Sequence, residues 1–237
     1  MGQILGAVLL VVLAIVTGHA KTGSELSNYL RQSPAPIILT VVGEAGLWLG
    51  FGGAPWLASR VRGTKRFIAD MGLRFRWGDL WVGALVGVAG QYVIGILYLP
   101  FTENNPRLQR EFNAPAKHLQ GGVHGAEIAA LYLVLVVGAP LFEELFFRGL
   151  ILPSLLRLFG RNGTWVGTAG AIVLTGLLFG LAHFEPLQFA GLALFGMALS
   201  FLAWWKKRLG PNIIAHASFN LVSVIALTAA VPLPGLR

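Results

Sequence analysis

The sequence predicts an all-α, polytopic membrane protein with about seven transmembrane helices. Of its 237 residues, 55% are hydrophobic and only 12% are charged, whereas soluble domains carry about 25% charged residues. The mean hydropathy is +0.70. Apolar runs long enough to cross a hydrocarbon core of roughly 30 Å recur along the chain, and the 31 glycines are typical of helices that approach one another closely in lipid.

Each apolar run predicts one span. The first, "MGQILGAVLLVVLAIVTG", lacks the basic start of a secretory signal, so we expect it to remain as the first helix. We expect residues 1–124 to hold the N-terminal transmembrane helices and a basic cytoplasmic loop. Residues 125–237 hold the helical core with the polar residues, and both parts form a single integral membrane unit. The predicted spans are 3–20, 36–58, 81–101, 125–147, 164–183, 187–205 and 212–233.

The distribution of positive charge predicts the orientation in the membrane. Most of the 18 lysines and arginines lie in three segments, 60–76, 148–161 and 206–208, which alternating spans place on one side. The positive-inside rule then predicts a cytoplasmic N-terminus and an outside C-terminus. Topology therefore explains the net charge of +8 without nucleic acid, for which the sequence has no motif. The compact, loop-poor chain favours a bacterial inner membrane.

The polar inventory excludes several mechanisms. The sequence has no cysteine, which excludes a thiolate nucleophile and Cys-ligated metals. The only aspartates, Asp70 and Asp79, flank the basic loop, so no aspartyl pair lies within the predicted spans. No HExxH zinc motif and no GxSxG nucleophile elbow is present. What remains within spans is a set of Glu, His, Arg and Asn.

The stretch "PLFEELFFRG" places three charged residues in a predicted span, where each costs roughly 2.5 to 3.5 kcal/mol on insertion scales. Glu144 and Arg148 are four residues apart, so they share a helix face and can neutralise each other. Glu143 is turned about 100° away and is left for another partner. Pro140 lacks an N–H and is expected to free backbone near this point. A purely structural ion pair that locks two helices is the alternative.

Two further segments carry polar side chains. In a helical hairpin that turns near Gly163, Glu143 and His183 are equidistant from the turn and are expected to lie at matching depth. His216 and Asn220 are four residues apart and share a helix face. Taken alone, His183 is typical of a residue at the membrane interface, and the His216/Asn220 pair is typical of hydrogen bonding between helices.

Together, "EELFFR" (143–148), "FGLAH" (179–183) and "HASFN" (216–220) resemble the EExxxR, FxxxH and HxxxN/D motifs of the CPBP family of CAAX-processing and bacteriocin-processing (Abi) intramembrane proteases. The resemblance covers about residues 125–230. It implies an intramembrane endopeptidase that acts on a membrane-associated protein or peptide, with a polar catalytic cavity inside the helix bundle. Residues 125–237 would then be the catalytic core.

The resemblance also implies roles for single residues. Glu143 and His183 would activate the attacking water, and His216 and Asn220 would stabilise the oxyanion. Glu144 and Arg148 would brace the first motif, and Phe179 would pack beside His183. The resemblance leaves two alternatives open for a cofactor. The reaction uses none, or Glu143, His183 and His216 form a two-His, one-carboxylate site for a divalent metal such as zinc.

One expectation conflicts with this assignment. If the sixth span crosses fully and the seventh begins at Asn212, His216 lies near the inner surface and His183 near the outer one. For the two histidines to meet, at least one of these spans must be tilted, broken or re-entrant, or the span boundaries must differ from those predicted. Irregular segments are allowed where they line a watery cavity, and we give the three motifs precedence over the count of crossings.

Two other functions stay open at this point. A non-catalytic protein with the same scaffold, such as a bacteriocin immunity or partner-stabilising protein, would need the ion pairs only for structure. A transporter would use the Glu, His and Arg residues as a proton relay, but no inverted repeat is recognisable in the sequence. The expected partners are a membrane-associated substrate and the lipid bilayer, with no nucleic acid.

Overall fold

The computed structural model describes residues 2–19, 21–30, 37–119, 125–159 and 164–229. Within these ranges every regular element is a helix, which confirms the all-α class. The ten helices are α1 (Gly2–Val16), α2 (Gly23–Leu30), α3 (Ile37–Val61), α4 (Phe67–Asp70), α5 (Gly78–Thr102), α6 (Pro106–Leu119), α7 (Ala126–Phe159), α8 (Trp165–Ala182), α9 (Phe189–Lys206) and α10 (Gly210–Ala229).

Five helices in the described part of the chain are long and apolar enough to cross a membrane, namely α3, α5, α7, α8 and α9. They correspond to the second to sixth predicted spans. The first predicted span coincides with α1, whose apolar part, Gly6–Val16, is shorter. The seventh coincides with α10, which begins at Gly210. Length and composition thus support five of the seven predicted spans, and the protein is an integral membrane protein.

The first two helices pack together with α3 at one side of the bundle, where α1 makes its main contacts with α3. Gly6 faces Gly43, where a Cβ would come 2.9 Å from the Gly43 carbonyl oxygen, so the two backbones meet directly. Ala14, Tyr29 and Leu39 form a small core of their own between these helices. Helix α3 then separates this layer from α7, with the Phe51 ring stacked on Phe146 at 4.8 Å.

Glycines let the remaining helices approach closely, as their GxxxG spacing predicts. Gly83 and Gly87 of α5 face α10, and a Cβ at Gly83 would lie 2.6 Å from the Ile214 Cβ. Gly176 and Gly180 of α8 face α9 in the same way. Between these pairs lies the main apolar core, formed by Phe147, Phe179, Phe195, Leu199, Leu202, Ala215 and Phe219.

The loop between α3 and α5 is held by its aspartates. Asp70 accepts hydrogen bonds from the Ser59 hydroxyl at 2.6 Å and the Thr64 hydroxyl at 2.6 Å, and these bonds lower the pKa of its carboxyl. Asp79, at the start of α5, accepts from Arg208 Nε at 3.1 Å. The start of α5 therefore adjoins the junction of α9 and α10 at one end of the bundle.

Candidate active site

Helix α7 contains two wide turns on either side of its charged residues. The Ala139 N–H donates to the carbonyl of Val134, and the Leu152 N–H donates to the carbonyl of Phe147, each five residues back rather than four. Such wide turns within helices occur frequently at functional sites. The regular segment between them, Ala139–Glu144, carries both glutamates at its end.

Pro140 leaves one backbone carbonyl in the first wide turn without its helical partner. Because the Ala139 N–H goes to Val134, the next donor in the i to i+5 pattern for the Leu135 carbonyl is residue 140, and proline has no N–H. Asn220 Nδ2 donates to this carbonyl at 2.8 Å. The carbonyl that Pro140 leaves without a backbone donor thus receives a hydrogen bond from a side chain of α10.

Glu144 joins helix α10 to the first motif. Its side chain is fully buried, and its Oε1 accepts from Arg148 Nη1 at 2.8 Å and from His216 Nδ1 at 3.0 Å. The predicted ion pair within α7 therefore exists, and it also includes His216. Because a carboxylate accepts only, His216 carries its proton on Nδ1, and Nε2 faces away from Glu144.

Arg148 ties α7 to α9 and to the Phe179 ring. Its Nη2 donates to the Gly196 carbonyl at 2.9 Å, and its guanidinium carbon lies 4.5 Å from the centre of the Phe179 ring. A buried arginine of this kind is compensated by its carboxylate, its carbonyl and the ring face together. It fixes the rotation of α7 about its axis at the level of the glutamates.

Phe179 and His183 form one unit at the end of α8. His183 Nδ1 donates to the Phe179 carbonyl at 2.8 Å, so its Nε2 is the free ring nitrogen. Phe179 is fully buried, and its ring meets His183 edge to face at 4.7 Å and His216 at 5.5 Å. The phenyl ring therefore packs between the two imidazoles and restricts their orientation. Its contact with His183 agrees with the packing role that the resemblance implies.

Glu143 points at both histidines. Its Oε2 lies 3.8 Å from His183 Nε2 and 3.9 Å from His216 Nε2, and this buried oxygen has no hydrogen-bond partner in the part of the chain that the structure describes. These separations exceed a direct hydrogen bond and are short enough for one water to bridge the groups. Three polar atoms thus converge on one point among apolar walls.

The two histidines both approach Glu143, as the motifs imply, and not opposite membrane surfaces as two full crossings would place them. Helix α10 does not start level with the end of α9: Asn212 Nδ2 donates to the Leu199 carbonyl at 2.6 Å, about two turns before α9 ends. His216 therefore lies deeper in the bundle than its distance from Lys206 indicates. The His183 side chain also leans back along α8, because side chains on a helix tilt towards its N-terminus.

Several residues around the site escaped sequence reasoning. Gly196 offers only a carbonyl, and Asn212 lies outside the three motifs, so neither gave a signal. Phe195 lies 5.9 Å from the His216 ring and stacks on Phe219. Glu44 of α3 lies close enough to Glu143 for their charges to interact. A carboxylate within a predicted span was the available signal for Glu44.

Two imidazoles and a carboxylate at one point are also the side chains of many metal sites. In the described ranges no group of three or more His, Cys, Asp or Glu side chains is arranged to hold a metal ion. Glu143, His183 and His216 nevertheless present the donor atoms that zinc prefers, namely two imidazole nitrogens and a carboxylate oxygen. A metal at this point would need these side chains to move closer together.

Comparisons with known proteins identify the segment that carries these residues. Residues 125–222 match the family described as "Type II CAAX prenyl endopeptidase Rce1-like", which confirms the resemblance to the CPBP family. The match indicates a protease-type enzyme in general. No curated protein and no solved structure matches the chain.

Proposed function

We propose that this protein is an intramembrane endopeptidase of the CAAX-protease type, because residues 125–222 match the Rce1-like family. It hydrolyses a peptide bond of a membrane-associated protein or peptide with a water activated by Glu143 and His183. The observation that carries the proposal is the convergence of Glu143 Oε2 with His183 Nε2 and His216 Nε2, at 3.8 and 3.9 Å.

Glu143 is the general base. Its Oε2 has no hydrogen-bond partner among the described residues and is therefore free to accept a proton from a water that His183 Nε2 orients. The water oxygen bonds to the peptide carbonyl carbon, and its proton passes to Glu143. When the C–N bond breaks, the protonated Glu143 returns that proton to the leaving nitrogen, which gives one carboxylic acid and one amine.

His216 stabilises the oxyanion in its protonated form. Its Nδ1–H is held by Glu144, so Nε2 can donate to an oxyanion only when the ring is cationic. The fully buried Glu144 carboxylate is placed to pair with that cation, as the buried carboxylate of a catalytic triad pairs with its histidine. A donor aimed at the developing charge contributes about 2.7 to 4 kcal/mol in well-studied hydrolases.

Asn220 supports the site mainly through α7. One of its amide hydrogens is engaged by the Leu135 carbonyl, and the second remains for the oxyanion role that the family resemblance implies. Glu144, Arg148 and Phe179 hold the imidazoles and the α7 backbone in place. They are positioning residues in this proposal.

The test is cleavage of a membrane-anchored fluorogenic peptide library by the purified full-length protein in proteoliposomes. We expect Glu143→Gln and His183→Ala to lose activity by at least 100-fold, as for the removal of a general base. Glu103→Gln removes an exposed carboxylate outside the site and is the matched control. Equal, background-level turnover of the wild type and Glu143→Gln would sink the proposal and favour a non-catalytic scaffold.

Metal dependence has its own arm in this assay. Retained activity after dialysis against a zinc chelator supports the metal-free Glu/His reaction. Activity that is lost with the chelator and restored by zinc would transfer the roles of Glu143, His183 and His216 to a metal site. An activity of this protein that depends on the membrane potential, without cleavage of a peptide, would favour a transporter.

We also propose that the basic end of the bundle is cytoplasmic, with the N-terminus on that side and the C-terminus outside, in a bacterial inner membrane. The proposal rests on the positive-inside rule and on the contact of Asp79 with Arg208, which brings two basic segments to one end. The chain has no cysteine, so single cysteines can be introduced. Arg62→Cys should resist an impermeant maleimide in intact cells, and Arg110→Cys should react; the reverse pattern would invert the topology.

A further inference from the structure

A basic cavity lies at the junction of α5, α9 and α10, outside the candidate active site. Its volume is about 440 Å³, and its lining consists of Arg74, Phe75, Arg76, Lys206, Lys207 and Arg208. We propose that this cavity binds the phosphate-bearing headgroup of an anionic phospholipid. The proposal is independent of peptide hydrolysis, because it uses none of the residues of the candidate active site.

Most of the positive charge in this cavity is uncompensated. Arg208 is paired with Asp79, and the hydrogen bond between them raises the pKa of the Arg208 guanidinium. For Arg74, Lys206 and Lys207 the described part of the chain provides no ion-pair partner, and Arg76 interacts with Asp79 only through its backbone N–H and by longer-range attraction. Several like charges close together repel one another, so an anion at their centre stabilises all of them.

Two structural elements hold these cations in place around the cavity. The Leu209 N–H donates to the Gly72 carbonyl at 2.9 Å, which fastens the junction of α9 and α10 to the loop before α5. Lys207 adopts a left-handed backbone conformation, with φ of 54°, and this turns the chain from α9 into α10. Backbone contacts of the fold thus determine where the cations around the cavity lie.

The cavity lies where membrane-spanning helices end. Helix α5 begins at Gly78 and α9 ends at Lys206, so their ends mark the level of the lipid headgroups. Trp77 and Trp81 are 88% and 82% exposed, as expected of indoles that anchor a protein in the interface. Lys206 Nζ lies 3.7 Å from the centre of the Trp205 ring, which keeps its charge at the same level.

This placement favours a lipid phosphate over a free one. A headgroup brings its phosphate to the level of the cations while its acyl chains stay beside α5 and α9. The cytoplasmic leaflet carries the anionic lipids to which basic segments bind. Phe75, which is exposed beside the arginines, offers an apolar surface for the glycerol region.

The experiment is native mass spectrometry of the full-length, detergent-solubilised protein with defined lipids. Phosphatidylglycerol is titrated against phosphatidylcholine, and inorganic phosphate is titrated separately. The test variant is Arg74→Gln/Arg76→Gln. Its matched control is Arg62→Gln/Arg157→Gln, which removes the same number of positive charges outside the cavity lining.

We expect one high-affinity phosphatidylglycerol adduct in the wild type and in the control, with affinity at least tenfold lower in Arg74→Gln/Arg76→Gln. Phosphatidylcholine should bind more weakly than phosphatidylglycerol, and inorganic phosphate should compete only at high concentration. An equal loss in the control would show general surface attraction, and equal binding of both lipids would show no recognition of charge. Either result, or tight binding of inorganic phosphate without preference for the lipid, would overturn the proposal.

Discussion

Asn220 Nδ2 donates to the carbonyl of Leu135 at 2.8 Å, and it does so at the one place in α7 where Pro140 removes the backbone donor. An unpaired buried carbonyl costs about 1 to 3 kcal/mol. The bond therefore links the third sequence motif to the backbone that presents the first one. Asn220 therefore has a structural role in the helix bundle, which can be tested apart from any role in the reaction.

Replacing Asn220 by alanine should lower stability as well as activity. We expect the free energy of unfolding in detergent to fall by about 1 to 3 kcal/mol, because the Leu135 carbonyl loses its donor. Ser223→Ala is the control, since among the described residues the Ser223 hydroxyl bonds to the Phe219 carbonyl of its own helix. If Asn220→Ala has the same free energy of unfolding as the wild type and loses only turnover, the amide acts on the reacting atoms alone.

Adding Pro140→Ala to Asn220→Ala should restore part of the lost stability. Alanine supplies an N–H that can reach the Leu135 carbonyl in the wide turn. The measurement is a double-mutant cycle of unfolding free energies, in which we expect a coupling of about 1 kcal/mol. Strict additivity of the two changes would show that Pro140 and Asn220 do not serve the same carbonyl.

The buried ion pair should be costly to break from one side. We expect Arg148→Met to destabilise the protein by about 3 to 5 kcal/mol, because Glu144 is then left as a buried charge without its main partner. Arg148→Met/Glu144→Gln should lose less than Arg148→Met alone. Arg157→Met, which removes an arginine near the end of α7, is the control and should change stability by less than about 0.5 kcal/mol. A single mutant as stable as the double mutant would contradict this account.

Glu144→Gln alone should affect catalysis more than substrate binding. Glutamine can still accept from His216 Nδ1, but it no longer stabilises the cationic ring. We expect kcat to fall on the order of 100-fold with little change in KM. Steady-state kinetics on a cleaved peptide measure both constants, and a change confined to KM would place Glu144 in substrate binding instead.

Close helix packing should be needed to position His216. A Cβ at Gly87 would collide with the Ala215 carbonyl oxygen, next to His216, whereas a Cβ at Gly53 meets nothing within 4 Å. We expect Gly87→Val to lower the melting temperature and abolish cleavage, since overpacking costs typically 1 to 3 kcal/mol. Gly53→Val should behave as the wild type; equal effects of both substitutions would point to helix propensity rather than packing.

Local spacing along the chain predicted much of this site. The Glu144/Arg148 pair follows from residues four apart on a helix, and the meeting of Glu143 with His183 follows from their equal distance to the turn near Gly163. Residue 163 itself lies outside the described residues, but the 3.8 Å contact agrees with the argument. Periodicity within one element and hairpin symmetry are both properties that the sequence contains.

Contacts between elements far apart in sequence were beyond that reasoning. The depth of α10 depends on the bond from Asn212 to Leu199, and no spacing rule relates a side-chain amide to a backbone carbonyl on another helix. Counting whole membrane crossings therefore placed His216 too near the surface. Pro140 predicted free backbone near the first wide turn of α7, but no spacing rule predicted that Asn220, 85 residues from Leu135, donates to the carbonyl there.

The layered arrangement of the N-terminal helices has a practical consequence for labelling. Among the described residues, the main contacts of α1 are with α3 and α2, and the Phe51–Phe146 stack lies between this layer and the glutamates. A fluorophore attached at Thr22, in the exposed turn before α2, is thus separated from the candidate active site by a whole helix. Such a label would report on orientation and assembly in the membrane without contacting the candidate active site.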